Sequence, residues 1–256
     1  GDGGQNLIGP ELSVELGIVR TGELVAARAI DGGQQFFTRA FDYGFSKSAE
    51  EAFSHWPRET LLGDMVWVIR NFRPQVIVSV FSGTPADGHG HHQVAGILTP
   101  EAFAAAGDPT RFPEQLAFVQ PWRPTKLFRN AWRDPPGTPV TVVQTGVFDP
   151  LLGRSWYQVA MEGRSRHRSQ DMGTAQPLGS RASDLFLLES TTTVEPGAGL
   201  FAGVDTALSY LTSRLGSRER ATADEHVRVY REAIHQAEAS LGVSDPSQAV
   251  PQFARS

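Results

Sequence analysis

Residues 75–81 read Gln-Val-Ile-Val-Ser-Val-Phe, and they constrain the fold more than any other stretch of the chain. They are β-branched and apolar at positions that would face both sides of a sheet. Such a strand has to be covered on both faces, as the central strands of parallel sheets are. A polar, glycine-rich loop follows at 82–92, and then a helix is expected at 93–106, stopped by Gly107-Asp108-Pro109. Strand, loop and helix in that order indicate βαβ construction. The expected fold is α/β: a Rossmann-like, mostly parallel sheet with helices on both faces.

The rest of the chain fits that class. Apolar spacing predicts helices at 10–30 and 59–72, the first closed by Asp31-Gly32-Gly33 and the second by Arg73-Pro74. Ser48 with Glu51 resembles a helix start with a capping box. Further helices are expected at 155–167, 200–215 and 222–241. Short strands are expected at 35–37, 126–132 and 140–146, and loops at 172–182 and 190–199. No repeat or linker interrupts the chain before about residue 242, so one domain is expected over 1–242, with 243–256 as a tail or the start of a further segment. At about 150 residues per domain, 256 residues allow one large domain or two small ones.

Charge and residue types narrow the function. The formal net charge is -5, which argues against a surface built for nucleic acid or an anionic membrane. No apolar run is long enough to span a bilayer. There are no cysteines, so disulfides, Cys-ligated zinc and a cysteine nucleophile are excluded. Any metal would be held by His, Asp and Glu.

Three of the seven histidines, His89, His91 and His92, fall in the loop after the best strand. Ligands of open α/β sheets bind outside the carboxyl ends of strands. Imidazole suits zinc and other borderline metals. His89 and His92, three residues apart, can point to one side, and Asp87 could orient a ring nitrogen. A catalytic zinc takes about three protein ligands, more than this loop easily supplies. Read without a ligand, the same cluster is a solvated His-rich loop.

The stretch Asp87-Gly88-His89-Gly90-His91-His92-Gln93-Val94-Ala95-Gly96 resembles the second metal motif, Gly-His-x-x-His, of the PIG-L/LmbE-type de-N-acetylases. Other segments agree in order and spacing. They are Gly1-Asp2-Gly3-Gly4-Gln5-Asn6 with Ile8-Gly9, Arg20-Thr21-Gly22-Glu23 with Ala27, Asp42-Tyr43-Gly44-Phe45-Ser46, and Ser165-Arg166-His167-Arg168-Ser169-Gln170. Together they cover residues 1 to about 173.

The resemblance implies zinc-dependent removal of an N-acetyl group from an N-acetylglucosamine-type substrate. It makes His92 a zinc ligand and His89 the group that polarises or protonates in the transition state. Arg20 and Asp42 would contact sugar hydroxyls, and Gln5 or Asn6 would lie at the pocket edge. Many relatives have Pro-Asp where this chain has Gly90-His91, which leaves His91 without an inherited role. The family's His-Pro-Asp-Asp motif, source of the remaining zinc ligands and the general base, is absent from these residues. The resemblance therefore implies that a first strand, that motif and a first helix lie upstream of Gly1.

Elementary chemistry agrees with an amidase. Amide hydrolysis needs an activated water, an acid for the leaving amine and stabilisation of the oxyanion. An imidazolium at His89 would serve the last two in a dry cleft. Other readings stay open beside these. Arg20 could pair with Glu23 three residues on. Asp42 could cap a turn, and His167 could sit against a helix end. Trp122 could stack on a sugar. Two other functions fit the same residues: a non-catalytic carbohydrate-binding module, and another metal-dependent hydrolase such as an esterase or phosphoesterase.

Overall fold

The computed structural model describes residues 2–132, 134–170, 173, 175–195, 197–206, 212, 215–241 and 250–254. The chain divides into two compact units, Gly1–Val147 with Ser155–Ala202, and Phe148–Arg154 with Gly203–Ser256.

The first unit is α/β. Helix α1 (Val14–Asp31) ends on Gly32, whose φ of 72° closes the helix in the left-handed region. Helix α2 (Ala49–His55) starts at Ser48, whose side chain accepts the Glu51 N–H as expected. The Glu51 carboxylate reaches back to the Lys47 N–H at 2.7 Å, not to that of Ser48. Helices α3 (Arg58–Phe72) and α4 (Gly90–Ala106) pack with α2 into the main core. That core contains Trp56, Leu61, Leu62, Val66, Ile69, Val94, Leu98 and Ala102. Helix α5 (Trp156–Arg164) opens with a capping box between Ser155 and Gln158.

The sheet differs from the expectation. It contains β1 (Val76–Ser79), β2 (Lys126–Asn130), β3 (Thr141–Gln144) and β4 (Ala182–Ser190), in the order β1-β2-β4-β3. Among the described residues only β1 and β2 pair parallel; β4 runs antiparallel to both β2 and β3. The sheet is therefore mixed, and two expectations are corrected: the sheet is not mostly parallel, and β1 is not a central strand covered on both faces but stands at the edge of the described sheet, with Val78 about half exposed. The mixing comes from β4, a nine-residue strand that sequence reading left unassigned. The expected strand at 35–37 is not one. The segment runs without a ladder partner, and β-branched or aromatic residues alone do not make a strand.

In the second unit, α6 (Ser217–Ser240) begins five residues before the expected 222 and buries Ala233 and Ala237. The expected helix at 200–215 does not start where expected: residues 200–206 are turns and irregular backbone, residue 212 is helical, and 207–211, 213 and 214 lie outside the described residues. Of the expected tail, Val250–Phe253 forms one helical turn, while 242–249 and 255–256 lie outside them. Among the described residues, no helix is long and apolar enough to cross a membrane.

Candidate functional site

The loop from β1 to α4 builds one wall of a cleft in the first unit. Its fold rests on Asp87, which is buried. The Asp87 carboxylate accepts the N–H of Gly83 at 2.7 Å, the N–H of Ser82 at 3.2 Å and the Ser82 hydroxyl at 3.1 Å. That carboxylate is committed to the loop, so it does not orient a histidine as the spacing suggested. The Asp87 backbone carbonyl lies 3.4 Å from His92 Nδ1 instead. The His92 ring stacks on Phe81 at 4.1 Å and 7°. These contacts leave Nε2 as the His92 nitrogen available to a ligand.

His89 is the N-cap of α4, and its Nδ1 accepts the His91 N–H at 3.2 Å. A nitrogen that accepts carries no proton, so Nε2 is the protonated nitrogen of a neutral His89. His91 packs against Trp56 at 4.2 Å and edge-on to Tyr43 at 4.6 Å. Its Nε2 and the Tyr43 hydroxyl are buried without a hydrogen-bond partner. Burial first, and then the proximity of His89, hold His91 down at about 4. Burial first, and then His92, also push His89 below its ordinary value. Both rings are therefore neutral near pH 7, and the imidazolium expected at His89 is disfavoured by desolvation.

The facing walls come from distant segments. The 2–5 loop crosses the 42–44 turn so closely that a Cβ on Gly3 would sit 2.3 Å from Gly44 N. Asp42 caps that turn by accepting the Gly44 N–H at 2.8 Å, as its turn-capping reading anticipated, and it lines the cleft as well. Arg20 donates from Nη2 to Gln5 O at 2.7 Å and from Nε to Ser169 Oγ at 3.3 Å. Glu23, one turn further along α1, accepts both the N–H and the hydroxyl of Ser169, at 2.6 and 2.7 Å.

The resulting cavity measures about 640 Å³. Gln5, Arg20, Asp42, His89 and His92 all line it. Asn6 does not: its side-chain amide is spent on the Glu11 carbonyl at 3.2 Å and the Glu11 carboxylate at 3.0 Å. His91, to which the resemblance assigned no role, lines the cavity too, as do His167 and Gln170 from the 165–170 segment. Their signal was the order of the polar segments, which no local periodicity reports. Trp122 is elsewhere, packed on the α2–α4 core with Nε1 donating to Pro74 O at 2.7 Å.

The histidines alone do not make a metal site. His89 Nδ1 is taken by the helix cap and His91 is wedged among aromatic rings. Among the described residues, no group of three or more His, Cys, Asp or Glu could hold a metal ion. Zinc takes about three protein ligands, so the described residues do not by themselves fit it. No protein-family model matches the chain, and no curated protein matches it.

Proposed function

We propose that this cleft belongs to a hydrolase that removes the N-acetyl group from an N-acetylglucosamine-type substrate. The observation that carries the reading is convergence: Gln5, Arg20, Asp42, His89 and His92, from four separate segments, line one cavity of saccharide size. A Rossmann-like arrangement belongs to the same proposal, with the parallel β1–β2 pair as its support. Zinc belongs to it as well. His92 Nε2 is the one ligand offered here, and the other donors would have to come from beyond the described residues.

This chain's own residues can perform specific tasks. Arg20 and Asp42 supply a donor and an acceptor for neighbouring sugar hydroxyls, and Gln5 borders the same space. His89, neutral with its proton on Nε2, donates a hydrogen bond to the acetamido oxygen as negative charge develops there. Because it starts neutral, it works as a dipole in a dry cleft, where such a donor counts most.

A second reading takes its support from the lack of a ligand triad among the described residues: a carbohydrate-binding module that does not catalyse. One experiment separates the two. The protein is titrated with N-acetylglucosamine conjugates, and acetate release is measured with and without added zinc. Zinc-dependent acetate release supports the hydrolase. Binding without release under any condition supports the module, and absence of both removes either reading. Where zinc-dependent release occurs, His92→Ala is expected to abolish it. His91→Ala is expected to leave most of it while lowering the melting temperature, because its ring is packing. Equal losses would mean that the ligand has been misassigned.

A further inference from the structure

The geometry points to Glu23 as a positioning residue that latches the 167–170 segment across the cleft, so that His167 and Gln170 form the second ligand-contacting wall. The identity of the ligand rests on the saccharide reading above; the latch itself does not.

Glu23 is 8% exposed, and Ser169 is fully buried. Both Glu23 carboxylate oxygens are engaged by Ser169, through its N–H and its hydroxyl, across 146 residues of sequence. Burying a carboxylate is costly unless its oxygens are hydrogen-bonded, and bonds to a charged acceptor are the strong ones. Arg20 adds a donor to the same Ser169 hydroxyl, and the Leu7 N–H donates to Ser169 O at 3.0 Å. One serine thus ties α1, the 2–9 loop and the 168–170 turn together.

The start of the latched segment is tied back to α5, where Ser165 Oγ donates to Met161 O at 2.8 Å and Arg166 pairs with Glu162 at 3.0 Å; the Ser169 end is tied to α1 and the 2–9 loop by the bonds above. Ser165-Arg166-His167-Arg168-Ser169-Gln170 offers no apolar side chain to the core. Its turn, Arg168–Gln170, is a single 3₁₀ turn, which is not stable by itself. The Gln170 N–H closes it on His167 O at 3.1 Å, so fixing Ser169 sets the two flanking side chains together. Both line the same cavity as the histidines of the β1–α4 loop. Gln170 offers donors and an acceptor, and His167 can offer one of each. That pairing suits an uncharged hydroxyl or acetamido group. Arg20 and Glu23 therefore divide their work: Arg20 lines the cavity, and Glu23 stands behind the wall.

The test is a double-mutant cycle read by binding, with amide hydrogen exchange as a ligand-independent measure. N-acetylglucosamine and its β-1,4 dimer are the probes. Glu23→Gln and Gln170→Ala are each expected to weaken binding by about tenfold, with the double variant no weaker than either single one. The Ser169 amide is expected to exchange about tenfold or more faster in Glu23→Gln, with the Val94 amide in α4 unchanged. Additive losses, or an unchanged Ser169 exchange rate, overturn the latch. If the wild-type protein binds neither probe, the saccharide reading falls, and exchange alone then decides the latch. Should Glu23→Gln fail to fold, Ser169→Ala, which keeps the N–H and loses the hydroxyl, is expected to show the same coupling to Gln170→Ala; additivity there also overturns it.

Discussion

Arg70, in the last turn of α3, has no exposed surface. Its guanidinium donates to the carbonyls of Ala105, Ala106, Asp108, Arg111 and Phe112, and to Gln115 Oε1, at 2.8 to 3.3 Å. It terminates α4, whose last carbonyls have no intrahelical partners, and gathers the loop that follows. Arg70→Met is expected to lower unfolding free energy by about 3 kcal/mol or more in urea titration, since several buried acceptors lose their donor. Arg70→Lys is expected to fall between, because an ammonium cannot span the same fork. Lys126 is the second enclosed cation, with Nζ 3.2 Å from Leu200 O and 3.3 Å from Gly199 O. Burial pushes its pKa below the usual 10.5. Between the lowered folded value and the unfolded one, the unfolded chain holds more protons, so stability attributable to Lys126 rises with pH across that window. The unfolding free energy of wild type minus that of Lys126→Met is therefore expected to rise as the pH climbs toward the unfolded value of 10.5; a difference that stayed flat up to that pH would mean that the amine keeps its ordinary pKa. Neither residue was legible in the sequence, because an Arg in an amphipathic helix and a Lys opening a strand look solvated until their surroundings are known.

At the scale of elements, the helices were the most legible part. The expected 59–72 became Arg58–Phe72, and the expected 93–106 became Gly90–Ala106, extended by the turn that His89 caps. The extension matters because it places the histidines on the first turn of α4. That turn sits against the 46–48 segment so tightly that a Cβ on Gly90 would lie 2.2 Å from Ser48 O. Gly90→Ala is therefore expected to cost about 1–3 kcal/mol and to weaken ligand binding by displacing the histidine wall. Gly22, in the interior of α1, has open space around its Cβ position. Gly22→Ala is expected to stabilise by about 0.5–1 kcal/mol. If both variants shifted stability in the same direction, these glycines would not be distinguished by packing. The strands were less legible. β4 was missed, since residues 182–190 mix apolar and polar positions without a clear period.

At the scale of the molecule, all the cleft residues named above belong to the first unit. The second unit carries α6, whose Arg228 pairs with Glu225 and Glu232 at 2.6 and 2.9 Å on a face more than half exposed. Exposed pairs of this kind contribute little once solvent and salt screen them. Arg228→Ala is expected to leave both the thermal midpoint and saccharide binding unchanged; a loss of binding would tie α6 to the cleft.

By itself the sequence determined where most of the described helices run, that the class is α/β, and that a polar, His-bearing loop follows β1. Those properties are local, written in periodicity, caps and composition. Only the tertiary structure decided the direction of the strands, the commitment of Asp87 to its own loop, the neutrality of His91 and the bond from Glu23 to Ser169. Each depends on which residues meet across long stretches of chain. Burial and pairing, unlike period, are properties of the neighbours a residue acquires on folding.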